Sequence, residues 1–223
     1  MKTLNKELQN AITPLIAINL LKEGNGRFIN NLKINRNLLQ QANETSDGQH
    51  PFAVILSCID SRTSAELIFD QGLGDIFSIR IAGNILNEDI LGSMEFGCKI
   101  AEAKIIVVLG HTKCGAVQGA CDHLEIGNIT SLLTKIRPAV DDEITIKENR
   151  SSKNEEFVEK VATINVKRTV KAIMERSPIL KEMIEKGQIG IAGGIYDITT
   201  GKVTFYADTV KINTPIKANN ALI

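Results

Sequence analysis

Short runs of consecutive apolar residues recur along the chain, and polar or glycine-containing segments separate them. A continuous apolar run of a few residues is typical of a strand that is buried on both faces, as in a parallel sheet. The pattern therefore predicts several buried strands that share one sheet. The predicted strands are residues 52–58, 76–82, 104–110 and 189–196.

A segment with helical spacing follows each of the first three predicted strands. Thr63 with Glu66 has the spacing of a capping box, which predicts that the first of these helices begins directly after Arg62. Such alternation of strands and helices favours an α/β domain with a mainly parallel central sheet flanked by helices. The predicted helices are residues 64–69, 89–101 and 116–124.

The two ends of the chain complete this expected domain. Thr13 and Pro14 are typical of an N-cap and a first helical residue, and the helical pattern that follows breaks near residues 24–26. Residues 43–51 read as a loop, and residues 203–206 as an antiparallel edge strand. We expect one domain over residues 1–223, with an N-terminal helical arm at 1–45 and an α/β core at 52–210.

The charge of the chain argues against several classes of partner. Lys plus Arg and Asp plus Glu both number 26, so the formal net charge is +0. Such a chain has no net field to attract nucleic acid or an anionic membrane. No apolar run approaches the ~18 residues of a membrane span, and no signal-peptide cleavage site follows a charged start. We therefore expect a cytoplasmic protein with a small or neutral substrate.

Two motifs stand at the ends of predicted strands. They are CIDSR at residues 58–62 and HTKCG at residues 111–115. In open parallel sheets, ligands collect outside the carboxyl ends of the strands, so the two motifs can converge although they lie far apart in the chain.

The motifs contain a plausible set of metal ligands, Cys58, His111 and Cys114. Two thiolates and one imidazole suit Zn²⁺, and three protein ligands with an open fourth position are typical of a catalytic zinc site. A lone cysteine is often a small buried hydrophobic residue. Cys98 is interpreted in that way, and Cys121 is interpreted as either structural or exposed.

The same motifs resemble those of the β-class carbonic anhydrases. The resemblance rests on CxDSR and HxxCG, with RxAGN at residues 80–84 between them. It includes GNGRF at residues 24–28 and Gln49, and it extends over roughly residues 13–206. It implies an enzyme that interconverts CO₂ and bicarbonate through a zinc-bound hydroxide, a zinc lyase.

The resemblance also implies roles for the residues of the two motifs. Cys58, His111 and Cys114 would be the zinc ligands. Asp60 would be either a fourth ligand in a closed, inactive form or the partner of Arg62 in an open, active form. Because two thiolates already neutralise Zn²⁺, a carboxylate in the fourth position would make the site anionic and displace the reactive water.

The implied substrate site lies between subunits. Gln49 would contact substrate oxygens from a neighbouring subunit, which implies a homodimer or homotetramer. Aromatic residues on a strand or a helix usually belong to the hydrophobic core, and the sequence alone cannot distinguish core from pocket. Only the resemblance therefore assigns such residues to a substrate pocket. The implied pocket residues are Phe77, Ala82, Phe96 and Gly115.

Two other functions are compatible with these ligands. A hydrolase of carbon disulfide or carbonyl sulfide could use the same scaffold and the same metal. A binding protein with a purely structural zinc is a candidate of another class. A structural site, however, has no need of a mobile carboxylate and its cation, and Asp60 and Arg62 supply both.

Overall fold

The computed structural model describes residues 3–213 of the chain. The strands in this part are β1 (Ala53–Ser57), β2 (Ile76–Arg80), β3 (Ile105–His111), β4 (Gly190–Tyr196) and β5 (Val203–Phe205). They form one sheet in the order β2-β1-β3-β4-β5. The first four strands pair in parallel, and β5 pairs antiparallel with β4. This arrangement confirms the predicted fold class and the antiparallel edge strand.

Helices connect the strands and precede the sheet. The predicted helix at residues 89–101 is confirmed as α5 followed by a wider π-helical turn, Phe96–Ile100. The α-helices of the described residues are α1 (Lys6–Ala11), α2 (Pro14–Ile29), α3 (Leu38–Glu44), α4 (Ala65–Ile68), α5 (Glu88–Glu95), α6 (Gly115–Cys121), α7 (Gly127–Leu133), α8 (Arg137–Asp142), α9 (Glu155–Arg176) and α10 (Pro178–Glu185).

Helices cover both faces of the sheet, which explains the continuous apolar runs. Every residue of β1 and of β3 is buried. On one face Val54 belongs to the same core cluster as Val170 of α9, and on the other Ile55 belongs to that of Leu21 of α2. Complete burial of such a side chain contributes roughly 1.5–3 kcal/mol, so these two layers hold the central strands in place.

Helix α2 begins as predicted but does not break at residues 24–26. The Thr13 hydroxyl accepts a hydrogen bond from the Ile16 N–H at 3.2 Å, and Pro14 is the first helical residue. The helix continues through both glycines to Ile29, so the predicted break is wrong. Gly24 serves close packing, because a Cβ there would lie 1.8 Å from the carbonyl oxygen of Phe69.

Parts of the expected domain lie outside this description. Residues 1–2 of the helical arm and residues 214–223 at the end of the chain are not among the described residues. Between residues 3 and 213, no helix has both the length and the apolar character required to cross a membrane.

Candidate metal centre

The sheet topology brings the two sequence motifs together. Cys58 directly follows β1, His111 ends the neighbouring parallel strand β3, and Cys114 comes three residues later. All three residues are buried, and their candidate ligand atoms lie within 4.8 Å of one another. The sulfur atoms of Cys58 and Cys114 are 3.9 Å apart. The predicted convergence at the carboxyl ends of the strands is therefore present.

The ring of His111 is oriented for a ligand. Its Nδ1 lies 2.9 Å from the carbonyl oxygen of Thr112, to which it can donate a hydrogen bond. That donation leaves the lone pair of Nε2 free. Nε2 is buried and has no hydrogen-bond partner among the described residues. A buried nitrogen acceptor without a partner, beside two sulfur atoms, fits a tetrahedral Zn²⁺ site.

The two thiols are coupled because they lie so close together. A hydrogen bond from Cys114 lowers the pKa of Cys58, although burial opposes the change. The pKa of Cys114 is raised, first by its interaction with Cys58 and then by burial. The pair therefore favours one thiolate over two, and a bound cation would favour loss of the second proton.

Asp60 and Arg62 form an ion pair beside these ligands. The carboxylate accepts hydrogen bonds from Arg62 Nε at 2.9 Å, Nη2 at 2.7 Å and the backbone N–H at 2.9 Å. These bonds hold the pKa of Asp60 well below its usual range. Its carboxylate is not part of the cluster of candidate ligand atoms. Asp60 thus has the geometry expected of an open site.

Two side chains hold the loop that carries this ion pair: Thr63 from within the loop and Arg80 from β2. Thr63 donates its hydroxyl to the carbonyl oxygens of Cys58 and Asp60, at 3.0 and 2.9 Å. Arg80 donates from Nε and Nη2 to the same two carbonyl oxygens, at 3.0 and 2.6 Å. The backbone around the candidate ligand Cys58 is therefore held by two side chains, those of Thr63 and Arg80.

The predicted capping box at the start of α4 is wrong. The N-cap residue is Ser64 rather than Thr63, and it makes no capping hydrogen bond with its side chain. Glu66 accepts hydrogen bonds from the hydroxyls of Ser64 and Ser78 instead. Thr63 is unavailable as a cap because its hydroxyl closes the preceding loop.

Gly83 also belongs to the metal centre, although the sequence motif assigned it no role. Its backbone N–H donates to Cys58 Sγ at 3.3 Å. The residue adopts a φ of 66°, in the left-handed region that favours glycine. The sequence signal was the glycine of RxAGN, but the direction of its N–H could be known only from the backbone.

The residues predicted to bind substrate lie on several elements. Gln49 is exposed in the loop before β1 and makes no side-chain hydrogen bond to the rest of the described chain. Phe77 is half-buried on the edge strand β2, whereas Phe96, just after α5, is 57% exposed. Ala82 is half-buried beside Gly83, and Gly115 is exposed at the start of α6.

The two cysteines outside the motifs are packing residues, as predicted. Cys98 and Cys121 are both 1% exposed and belong to hydrophobic clusters. Burial raises the pKa of Cys98 to about 12 and that of Cys121 to about 11. Both thiols therefore stay protonated at neutral pH.

Comparison with known proteins adds evidence of a different kind. The sequence profile of the carbonic anhydrase family matches residues 53–203. Carbonic anhydrase 2 of Mycobacterium tuberculosis is 34% identical over 201 residues, which cover 85% of this chain and 91% of that protein. The carbonic anhydrase of Mycolicibacterium smegmatis is 31% identical over 196 residues, 85% of this chain and 92% of its own length.

Solved structures agree with the sequence comparisons. The crystal structure of the β-carbonic anhydrase CafA of the fungal pathogen Aspergillus fumigatus superposes with a TM-score of 0.67 at 26% identity. The superposition covers 76% of this chain and 81% of that one. The region matched by the family profile contains all three candidate metal ligands and the four parallel strands.

Proposed function

The chain belongs to the β-carbonic anhydrase family, a family of lyases, and from this premise we propose that it catalyses the reversible hydration of CO₂ at a zinc ion held by Cys58, His111 and Cys114. One observation carries the proposal. The unpartnered Nε2 of His111 and the sulfur atoms of Cys58 and Cys114 form a buried cluster within 4.8 Å. Zn²⁺ is the metal that this donor set favours.

The residues around the cluster supply the remaining parts of the mechanism. When bound, Zn²⁺ supplies Lewis acidity, which makes hydroxide available near neutral pH. Arg62 holds the carboxylate of Asp60 ionised and turned away from the ligand atoms. With zinc bound, Asp60 would be placed to accept a hydrogen bond from the nucleophile and to orient it toward the carbon of CO₂.

The proposed substrate pocket combines apolar and polar residues. CO₂ is small and carries no charge, so Phe77, Ala82 and Phe96 would form apolar walls and Gly115 would leave space beside the ligand Cys114. Phe96 is largely exposed in the isolated chain, and Gln49 is exposed in its loop. Both features suit a site that a second subunit completes.

Homo-oligomerisation is therefore part of the proposal. The N-terminal helices expose several large apolar side chains, which a soluble chain normally covers with a partner surface. The exposed fractions are large: 58% for Leu15 on α2 and 74% for Leu39 on α3. We propose a homodimer or homotetramer in which Gln49 of one subunit reaches the substrate of another.

The experiment that tests the reaction is a stopped-flow CO₂ hydration assay on zinc-loaded protein. Carbon disulfide and carbonyl sulfide are offered to the same preparation. Turnover of CO₂ well above that of the sulfur analogues supports the proposal. Hydrolysis of a sulfur analogue without CO₂ hydration would replace it with the hydrolase, and retained zinc without any turnover would favour a structural metal.

The ligand set is tested by separate variants. Cys58→Ala, His111→Ala and Cys114→Ala should each lose zinc and activity, because two remaining ligands make a weak site. Cys98→Ala, at a cysteine of similar burial, should retain one zinc per chain. Elemental analysis decides the comparison. Full zinc occupancy in any of the first three variants would remove that residue from the ligand set.

A further inference from the structure

The turn that contains Gly83 contacts the metal centre directly. Residues Ala82–Asn84 form a short 3₁₀ turn after β2, in which both Gly83 and Asn84 adopt positive φ values, 66° and 43°. Gly83 directs its N–H at the sulfur of Cys58 across 3.3 Å. A hydrogen bond to a thiolate disperses part of its charge and fixes the direction of its lone pairs.

A side chain of the long helix α9 holds this turn. The Nδ2 of Asn165 donates to the carbonyl oxygen of Gly83 at 2.9 Å, and Asn165 is only 4% exposed. We propose that Asn165 is a positioning residue for the metal centre: by holding the carbonyl oxygen of Gly83 it fixes the backbone conformation of this residue, so that the N–H of Gly83 bonds the sulfur of Cys58. This inference rests on the proposed zinc site.

Helix α9 is a rigid platform for this contact. A Cβ at Gly110, the residue before His111, would lie 2.6 Å from a methyl carbon of Val166. A Cβ at Gly193 on β4 would lie 2.8 Å from the other methyl carbon of Val166. The helix therefore rests directly on the backbones of β3 and β4, one residue away from Asn165. Contacts this close leave the helix little freedom to shift.

The turn itself has little freedom to compensate for the loss of Asn165. Asn84 is a non-glycine residue in the left-handed region, and surrounding contacts must offset its conformational cost. Ile136 and Ala116 lie beside Gly83, where an added Cβ would be 2.5 Å from Ile136 Cδ1 and 3.3 Å from Ala116 Cβ. These two neighbours restrict the turn sterically, whereas the side-chain amide of Asn165 forms a hydrogen bond with the carbonyl oxygen of Gly83.

The obvious alternative is that Asn165 is a satisfied buried amide that contributes only to stability. Asn25 provides a matched control for that role. It is 5% exposed, and its Nδ2 donates to the carbonyl oxygens of Ile68 and Gly201 at 3.2 and 2.9 Å. Its loss should destabilise the fold without reaching Cys58. The two asparagines therefore separate stability from metal positioning.

The experiment compares Asn165→Leu and Asn25→Leu in two measurements. The first is the rate at which zinc passes from the folded protein to a chromogenic chelator. Loss of a residue that orients a metal ligand typically costs about tenfold to a hundredfold in metal affinity, so Asn165→Leu should release zinc faster by about that factor. Asn25→Leu should stay within about twofold of the wild type, despite a lowered unfolding temperature.

The second measurement detects the hydrogen bond itself. In protein loaded with a spin-half cadmium isotope, the amide proton of Gly83 should show scalar coupling to the metal through the sulfur of Cys58. Asn165→Leu should weaken or abolish this coupling, and Asn25→Leu should preserve it. Asn165→Asp keeps the shape of the side chain, removes its N–H donors when ionised, and replaces the leucine variant if that variant does not fold.

Three results would overturn the inference. In the first, the wild type shows no scalar coupling between the amide proton of Gly83 and the metal. In the second, the Asn165 variants keep the coupling and the zinc-release rate of the wild type. In the third, Asn25→Leu releases zinc as fast as Asn165→Leu does. A wild-type protein that binds zinc but does not hydrate CO₂ would contradict the proposed reaction while leaving the role of Asn165 in place. Failure of the two proposals is therefore distinguishable.

Discussion

The carboxylate of Asp60 can serve the site in two ways, and its contacts favour one of them. Three hydrogen bonds join it to Arg62, whose guanidinium matches the two carboxylate oxygens in a bidentate pair. A carboxylate that is engaged on both oxygens gains little by leaving such a partner. The expected role of Asp60 is therefore to accept a hydrogen bond near the metal rather than to coordinate it.

Substitution of Asp60 by asparagine tests this role. Asp60→Asn should retain zinc, because the carboxylate is not among the candidate ligand atoms, but it should lower the rate of CO₂ hydration by about a hundredfold or more. Elemental analysis and stopped-flow kinetics on one preparation measure both effects. Zinc loss in proportion to activity would instead identify Asp60 as a ligand. Asp122→Asn, an exposed carboxylate that accepts a hydrogen bond from Ser152, is the control.

The pH dependence follows from the same contacts. Hydrogen bonds from Arg62 hold the pKa of Asp60 well below its usual value of about 3.9, so Asp60 stays ionised at neutral and mildly acidic pH. If activity falls between about pH 8 and pH 6, the loss should then reflect protonation of a group other than Asp60. If Asp60→Asn removes the loss of activity at low pH and leaves the rest of the pH–rate profile unchanged, then Asp60 itself titrates in this range and the expectation is wrong.

At the scale of residues, the sequence predicted that the three candidate ligands converge but not which contacts orient them. Cys58, His111 and Cys114 each lie in a contiguous motif at the end of an apolar run, so the local pattern was sufficient to predict that they meet. The bonds from Gly83 and Asn165 depend on the backbone direction of a turn and on the packing of a helix distant in the chain. No local pattern carries that information.

At the scale of elements, helix α2 shows where helix propensity misleads. Gly24 and Gly26 lower the helix propensity, which predicted a break, yet tertiary packing overrides it. Gly24 permits the helix to approach the carbonyl oxygen of Phe69, the residue that follows α4. The strands were predicted to within two residues at either end, because continuous apolar runs report burial directly.

Two alanine substitutions in this helix separate packing from propensity. Gly24→Ala should destabilise the protein by more than 1 kcal/mol, since its Cβ would lie 1.8 Å from a backbone oxygen and overpacking typically costs about 1–3 kcal/mol. Gly26→Ala should stabilise it by about 0.5–1 kcal/mol, because nothing lies within 4 Å of its Cβ and alanine favours the helix. Urea unfolding measures both. Equal changes in the free energy of unfolding for the two substitutions would show that helix propensity alone, and not packing, determines the effect.

A buried carboxylate joins α2, the following loop and α4. Asp70 pairs with Arg27 at the end of α2 and with Arg36 in the loop, and it accepts a hydrogen bond from the N–H of Ile34 at 3.3 Å. Burial acts to raise the pKa of Asp70, but the bonds from the two arginines and Ile34 outweigh it and lower the pKa. The folded state therefore favours the ionised form more than the unfolded state does.

Replacement of Asp70 by asparagine should cost about 3 kcal/mol of unfolding free energy at neutral pH, because it leaves Arg36 buried without its counter-charge. Asparagine suits this position, since Asp70 has a φ of 45°, so the test isolates the charge. A lowered folded pKa contributes stability above the unfolded value of about 3.9 and loses it as the pH falls through the folded value. The difference between wild type and variant should therefore shrink in acid.

Urea unfolding at a series of pH values provides the measurement. Asp208→Asn removes an exposed ion pair with Lys167 and should have no resolvable effect at any pH. A difference between wild type and Asp70→Asn that stays constant down to about pH 2 would show that packing, and not charge, accounts for the loss.

For the molecule as a whole, the isolated chain leaves part of the proposed site open. Gln49 stands exposed in its loop, Phe96 is largely exposed, and the surface of α2 and α3 carries large apolar side chains such as Leu15 and Leu39. The second subunit proposed above would cover all of these features. A site built from two chains differs from a site within one chain in the activity expected of oligomers that combine two different variants.

Mixed oligomers test that prediction directly. Gln49→Ala should slow CO₂ hydration while leaving zinc bound, because the proposed role of Gln49 is to contact substrate rather than metal. Asp60→Ala should be inactive because it lacks the carboxylate. If Gln49 serves the neighbouring subunit, a heterodimer of the two variants places both defects in one site and leaves the other site intact. Tagged heterodimers purified from co-expressed chains should then show about half the wild-type activity per dimer. If each site lies within one subunit, each site of the heterodimer carries one defect, and activity should not exceed the mean of the two homodimers.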